Sequence, residues 1–177
     1  GFNGGSALSA GNSAGMALLV THIAAAAASL VWMFIEWFRF GRPSLVGIVT
    51  GMVAGLATVT PASGFIGIPG GLILGLAGAV ACYVAVDLIR VRLKIDDSLD
   101  VFAVHGVGGI LGSLLVVYLA LPAFGGLGLA SGVTVGSQFM VQLASVAITV
   151  LWTGIGSYVI LKIIGAVIGL RVDQQDE

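Results

Sequence analysis

Apolar residues gather into five runs along this chain, near residues 15–36, 44–60, 70–89, 101–121 and 139–161, and the polar residues are pushed into the gaps between them. Each run is close to the ~17–25 residues that carry an α-helix across a hydrocarbon core, so the pattern predicts five spanning helices, the second being the shortest. The gaps read Phe38-Arg-Phe-Gly-Arg-Pro43, Pro61-Ala-Ser-Gly-Phe-Ile-Gly-Ile-Pro69, Arg90-Val-Arg-Leu-Lys-Ile-Asp-Asp97 and Pro122-Ala-Phe-Gly-Gly-Leu-Gly-Leu-Ala-Ser-Gly132. Three of them hold the glycines and prolines that end helices, and the third gap, residues 90–97, is marked by charge instead. A tail, residues 162–177, follows the last run.

Composition narrows this to a membrane protein. Over 177 residues, 58% are hydrophobic and 8% charged, with a mean hydropathy of +1.14, and a soluble core of ordinary composition cannot absorb that much apolar surface. The expectation is an all-α, multi-pass protein of the lipid bilayer. Nucleic acid is excluded as a partner, because seven basic residues and a net charge of −1 make no phosphate-binding face. Cys82 has no second cysteine to pair with and reads as a small buried hydrophobe, which leaves the redox compartment open. Position 1 is glycine rather than methionine, so either a leader has been removed or the chain is a piece of something longer.

Charge then orients the helices. Arg39 and Arg42 follow the first run, Arg90, Arg92 and Lys94 the third, and Lys162 and Arg171 the fifth, while the gaps after the second and fourth carry no charged residue. Positive charge near short loops stays in the cytoplasm, which puts the N-terminus outside and the C-terminus inside. An odd number of spans suits a transporter built from two halves of opposite topology.

Glycine recurs every fourth residue at Gly47, Gly51 and Gly55, at Gly71 and Gly75, and at Gly108 and Gly112. Two readings are open: the glycines let helices touch, or they thin the walls of a narrow pore. The first is favoured, since in lipid close backbone contact does much of the work of holding helices together.

Candidate chemistry centres on His105, five residues after Asp100 at the start of the fourth run. An ionisable ring at membrane depth lines a cavity or pathway, or else hydrogen-bonds a neighbouring helix. The pathway reading is favoured, because a neutral imidazole offers one donor and one acceptor to a polar permeant without a fixed charge. On a regular helix Asp100 and His105 stand ~7.5 Å apart along the axis and point to different faces. Asp96 and Asp97 read as caps of that helix. Asp100 and Val101 are candidate supports of the site. His22 reads as a histidine bonded to a neighbouring helix near the outer end, and two scattered histidines make no metal site. No cofactor is called for. The segment Gly1-Phe-Asn-Gly-Gly-Ser-Ala-Leu8 lacks the lysine and strand context of a phosphate loop; its alternative is an outer vestibule in which Phe2 and Ser6 receive a cation by cation–π attraction and hydrogen bonding. No nucleophile, base and orienting residue converge, which argues against an enzyme.

Together these residues resemble the ammonium transporter family of Amt, Mep and Rh proteins, with the glycine and aspartate signature of the Amt branch rather than of the Rh gas channels. The resemblance lies in Gly1-Phe-Asn-Gly-Gly-Ser-Ala7, Thr60-Pro-Ala-Ser-Gly-Phe-Ile-Gly67, Asp96-Asp-Ser-Leu-Asp-Val-Phe-Ala-Val-His-Gly-Val-Gly-Gly109 and Gly169-Leu-Arg-Val172, and it covers essentially the whole chain. It implies the second half of an eleven-helix, inverted-repeat transporter of the plasma or inner membrane that conducts ammonium or ammonia for nitrogen uptake. It further implies Phe2 as one of two stacked gating phenylalanines, Ser6 as the hydroxyl of the outer recruitment site, and His105 as the second of two paired pore histidines. The first pore histidine and the rest of the gate then belong to the missing N-terminal half. A homotrimer with one pore per subunit is implied, as is a PII-type regulatory protein on the face around residues 90–97. The alternative is a membrane ammonium sensor coupled to a cytoplasmic signalling partner, with weak transport or none.

Overall fold

The computed structural model describes residues 1–170; the end of the tail expected from the sequence, Arg171 included, lies outside the described residues.

 Among those residues all the regular structure is helical, with no strand. It divides into two compact units, residues 1–139 and a second that begins at Met140. The helices are α1 (Phe2–Gly5), α2 (Asn12–Phe40), α3 (Leu45–Val59), α4 (Ile68–Val86), α5 (Val107–Leu119) and α6 (Val135–Val167). A π-helical segment, Asp87–Arg92, prolongs α4, and a second, Phe102–Gly106, opens α5. Four stretches are long and apolar enough to cross a membrane, namely Asn12–Phe40, Ile68–Arg92, Phe102–Leu119 and Val135–Val167, while α3 is shorter at 15 residues.

Local chemistry sets the boundaries. Gly41 ends α2 in the left-handed region at φ +75°, which costs glycine nothing and a side chain more, and Pro43 follows where a helix cannot continue. Ser44 then caps α3 by accepting the N–H of Gly47 at 2.9 Å. Pro69 occupies the first turn of α4, where its missing N–H would have had no helical partner.

In the first unit α2 packs on both α3 and α4, and α5 packs on α3 and α4 in turn. The contact surfaces are lined with glycine. A Cβ on Gly55 would lie 2.7 Å from the Ala28 Cβ, and one on Gly75 would lie 2.8 Å from the Ala24 Cα, so α2 touches the bare backbone of two helices. Gly78, Gly108 and Gly112 close in the same way around Thr58, a fully buried residue whose hydroxyl donates to the Ala54 carbonyl at 2.8 Å. Of the two roles open to these glycines, close helix contact is the one the packing displays. Val20, Ala24, Val59, Leu74 and Val117 fill the interior around the seams.

The second unit is described from Met140 onward by the rest of α6. No residue of α6 is buried, and large apolar side chains such as Ile148, Trp152 and Ile155 are exposed. Its polar groups satisfy themselves locally: Ser145 and Thr153 donate to carbonyls one turn back, at 2.9 and 2.7 Å.

Candidate functional site

The sequence-predicted residues fall into two groups on different elements. Phe2 and Ser6 share the short helix α1 and its end. Phe2 is 80% exposed. The Ser6 hydroxyl donates to the Phe2 carbonyl at 3.0 Å, so its proton is committed and its lone pairs remain to accept. That arrangement suits a ligand that donates hydrogen bonds.

A residue passed over in the sequence fixes this group in place. Asn3 is buried, and its amide donates to the Thr21 hydroxyl on α2 at 2.9 Å and to the Thr60 hydroxyl at the end of α3 at 3.3 Å. Both threonines donate onward to backbone carbonyls, Ala17 at 2.6 Å and Leu56 at 2.7 Å. The available signal was a lone amide among glycines, in a segment otherwise short of groups to satisfy it.

His105 stands on the opening turn of α5, and here the structure departs from the regular helix expected to run from Asp100. Asp100 lies outside the helix at φ +54°, a region that aspartate tolerates better than most residues. Its carboxylate accepts from Arg90 at 3.2 and 3.3 Å. The cap is Asp97, which accepts the N–H groups of Val101, Phe102 and Ala103 at 2.8, 3.0 and 3.2 Å. The turn that follows is π-helical and carries His105 out to an exposed position.

His105 borders a cavity of about 660 Å³, together with Val101, Phe102, Ile89, Leu93 and Asp97. Asp100 does not line it. Its wall is almost wholly apolar, with the imidazole and the carboxylates of Asp96 and Asp97 as the polar exceptions. His22 lies elsewhere, exposed on α2. The imidazole can therefore donate or accept one hydrogen bond into a space that offers a solute little other hydration.

The chain matches the Ammonium Transporter Family over residues 1–177. It belongs to that family. Among relatives, it is 44% identical to Ammonium transporter Amt1 of Archaeoglobus fulgidus over 179 residues, covering 100% of this chain and 44% of that protein. It is 42% identical to an ammonium transporter of Aquifex aeolicus, covering 100% of this chain and 42% of that one. Among solved structures it resembles Saccharomyces cerevisiae Mep2, with a TM-score of 0.84 and 34% identity over 99% of this chain and 42% of the other. It also resembles a Sensor Amt Protein, with a TM-score of 0.87 and 30% identity over the same shares, 99% and 42%. The chain thus spans less than half the length of the relatives it matches. Family and apolar helices together make it a multi-pass membrane protein.

Proposed function

We propose that this chain supplies part of the conduction path of an ammonium transporter in the plasma or inner membrane, with its N-terminus outside and its C-terminus inside. The observation that carries the reading is His105, an imidazole on an apolar cavity wall in a chain of the ammonium transporter family.

The chemistry follows from solvation. Ammonium is strongly hydrated, and carrying its charge into a low-dielectric passage costs many kcal/mol unless the charge is compensated or shed. At the outer end the cation meets the Phe2 ring and the outward lone pairs of Ser6, which accept its N–H groups while the ring attracts its charge. Transfer of one proton from the cation to water at the outer mouth then removes most of the cost of entry. Neutral ammonia passes His105, where the imidazole exchanges a hydrogen bond with it. A second histidine, from helices that this chain does not contribute, completes the pair. Asp100 and Val101 support the turn from which His105 emerges.

The same reading places the basic loops, residues 39–42 and 90–94, at the cytoplasmic face, where a PII-type regulatory protein would dock around residues 90–97. It makes the functional unit a homotrimer in which each subunit joins these helices to an N-terminal half. Likeness to a sensor Amt protein is a likeness of fold and does not favour sensing over transport.

The full-length protein in proteoliposomes tests the proposal through ammonium-driven flux and charge movement. His105→Ala is expected to change flux or current by about tenfold, the factor that goes with losing one hydrogen bond of about 1.4 kcal/mol to the permeant. Flux and current both equal to the unsubstituted protein would overturn it.

A further inference from the structure

The first turn of the helix that carries His105 needs more external hydrogen-bond acceptors than an ordinary one. An α-helix leaves its first four N–H groups without intrahelical partners, and a turn bonded i to i+5 leaves one more. Here the donors can be followed one by one. Val101, Phe102 and Ala103 give their N–H groups to the two carboxylate oxygens of Asp97. Val104 gives its N–H to the carbonyl of Asp100 at 2.8 Å. Asp100 is in turn held by Arg90 and by its own left-handed backbone, and its N–H bonds back to the Asp97 carbonyl at 3.0 Å. Asp97 therefore grips the turn at three points through its side chain and holds Asp100, just ahead of it, through its backbone carbonyl.

Asp97 also borders the cavity that His105 lines, yet both its oxygens are engaged with backbone N–H groups. That engagement argues for action through the turn. An α-helix advances ~100° per residue and a π turn less, so relaxing residues 102–106 to α geometry would swing His105 around the helix by roughly tens of degrees. A ring turned that far leaves the cavity wall it now occupies.

We infer that Asp97 is a positioning residue for His105, its carboxylate holding the π turn at Phe102–Gly106 and so setting the direction in which the imidazole faces the cavity. The inference rests on the proposed role of His105 in conduction.

Two readouts on the full-length protein test it: hydrogen exchange of the peptide covering residues 101–106, and the maximal rate and KM of ammonium flux per folded molecule. In Asp97→Ala, exchange in that segment is expected to rise roughly fivefold to tenfold, the scale of a lost helix cap. Maximal rate is expected to fall by up to about tenfold, the effect expected of removing the imidazole outright, with KM held because Phe2 and Ser6 are untouched. Asp97→Asn retains one acceptor oxygen and is expected to fall between Asp97→Ala and the unsubstituted protein; it carries the test if the alanine variant does not fold. A normal maximal rate per folded molecule, whatever the yield, would overturn the inference, as would unchanged exchange at 101–106. Should His105→Ala leave flux and current intact, the conduction reading itself falls. Should His105→Ala impair flux while both Asp97 variants do not, only the positioning role falls.

Discussion

The seams between α2, α3, α4 and α5 and the exposed positions of Phe2, Ser6 and His105 solve opposite problems. In the seams glycine removes side chains so that backbones meet, and the polar group at their centre, the Thr58 hydroxyl, is satisfied by the carbonyl one turn behind it. Little there is free to act on a solute. The candidate residues are exposed, and each is steadied from behind by a polar residue bound to backbone or hydroxyl groups: Asn3 behind Phe2 and Ser6, Asp97 behind His105. The lesson is that packing and chemistry are separated in space, joined by a few polar contacts at the edge of the core.

The hardest test of that separation is a side chain forced into a seam. Gly112→Leu would drive its Cβ onto the Thr58 carbonyl and the Pro61 ring, backbone and rigid ring that cannot move aside. Overpacking of this kind costs about 3 kcal/mol or more. Loss of folded protein is expected, read as yield of monodisperse material and as the midpoint of denaturant unfolding. A stable, fully active variant would mean that the seam is not where the fold is decided.

Next in size is the anchor behind Phe2 and Ser6. Asn3→Ala removes the amide, but Thr21 and Thr60 keep their own carbonyl acceptors, so little is left unsatisfied. Global stability is expected to fall by only about 1 kcal/mol, the range of a side-chain hydrogen bond between membrane helices. The local effect is larger: α1 loses its tie to α2 and α3, and hydrogen exchange of residues 1–6 is expected to rise while that of α3 does not. Equal loosening of both would erase the distinction between anchor and core.

Much of this arrangement was legible before any coordinates. The apolar runs coincide with the bodies of the helices because burying or lipid-facing a turn of backbone demands the same side chains at every position, and the four-residue glycine spacing marks contact surfaces because it repeats on one helix face. Asp97 was readable as a cap from its place just before an apolar run. What hydropathy could not carry was geometry that depends on partners far along the chain. The π turn at His105 leaves no periodic trace in five residues, Asp100 looked like the first residue of a helix it in fact precedes, and Asn3 meets Thr60 across 57 positions. Such features arise from tertiary contacts, and local pattern holds no record of them.

A smaller effect is expected at the edge of a seam. Ser44→Ala removes the acceptor for the Gly47 N–H and the hydroxyl that meets Glu36 at 3.3 Å. Loss of an N-cap costs about 1 kcal/mol, but the Ser44 N–H still donates to Glu36 at 2.7 Å, which keeps the α2–α3 corner closed. The expected result is a modest drop in unfolding midpoint with flux unchanged, since neither candidate group depends on this corner.

The smallest change is expected at Arg39, where the outer rim of the core has only electrostatics to hold it. Its guanidinium donates to Asp87 and to the Tyr83 hydroxyl, each at 3.2 Å, and so ties the end of α2 to the end of α4. Half of that side chain is exposed, and Asp87 has a second cation in Arg92 at 3.5 Å. Water and salt screen such a pair, and the remaining arginine compensates part of the loss. Arg39→Gln should therefore lower the unfolding midpoint less than Ser44→Ala does, and the difference from the unsubstituted protein should shrink as salt rises from low to ~1 M, where charges more than a few ångströms apart no longer sense each other. A deficit that persists at high salt would show instead that Arg39 acts by packing, with its guanidinium 5.6 Å from the centres of the Phe40 and Tyr83 rings. In that event the rim belongs with the glycine seams, and the boundary between the packed and the chemical parts of this molecule moves outward by one helical turn.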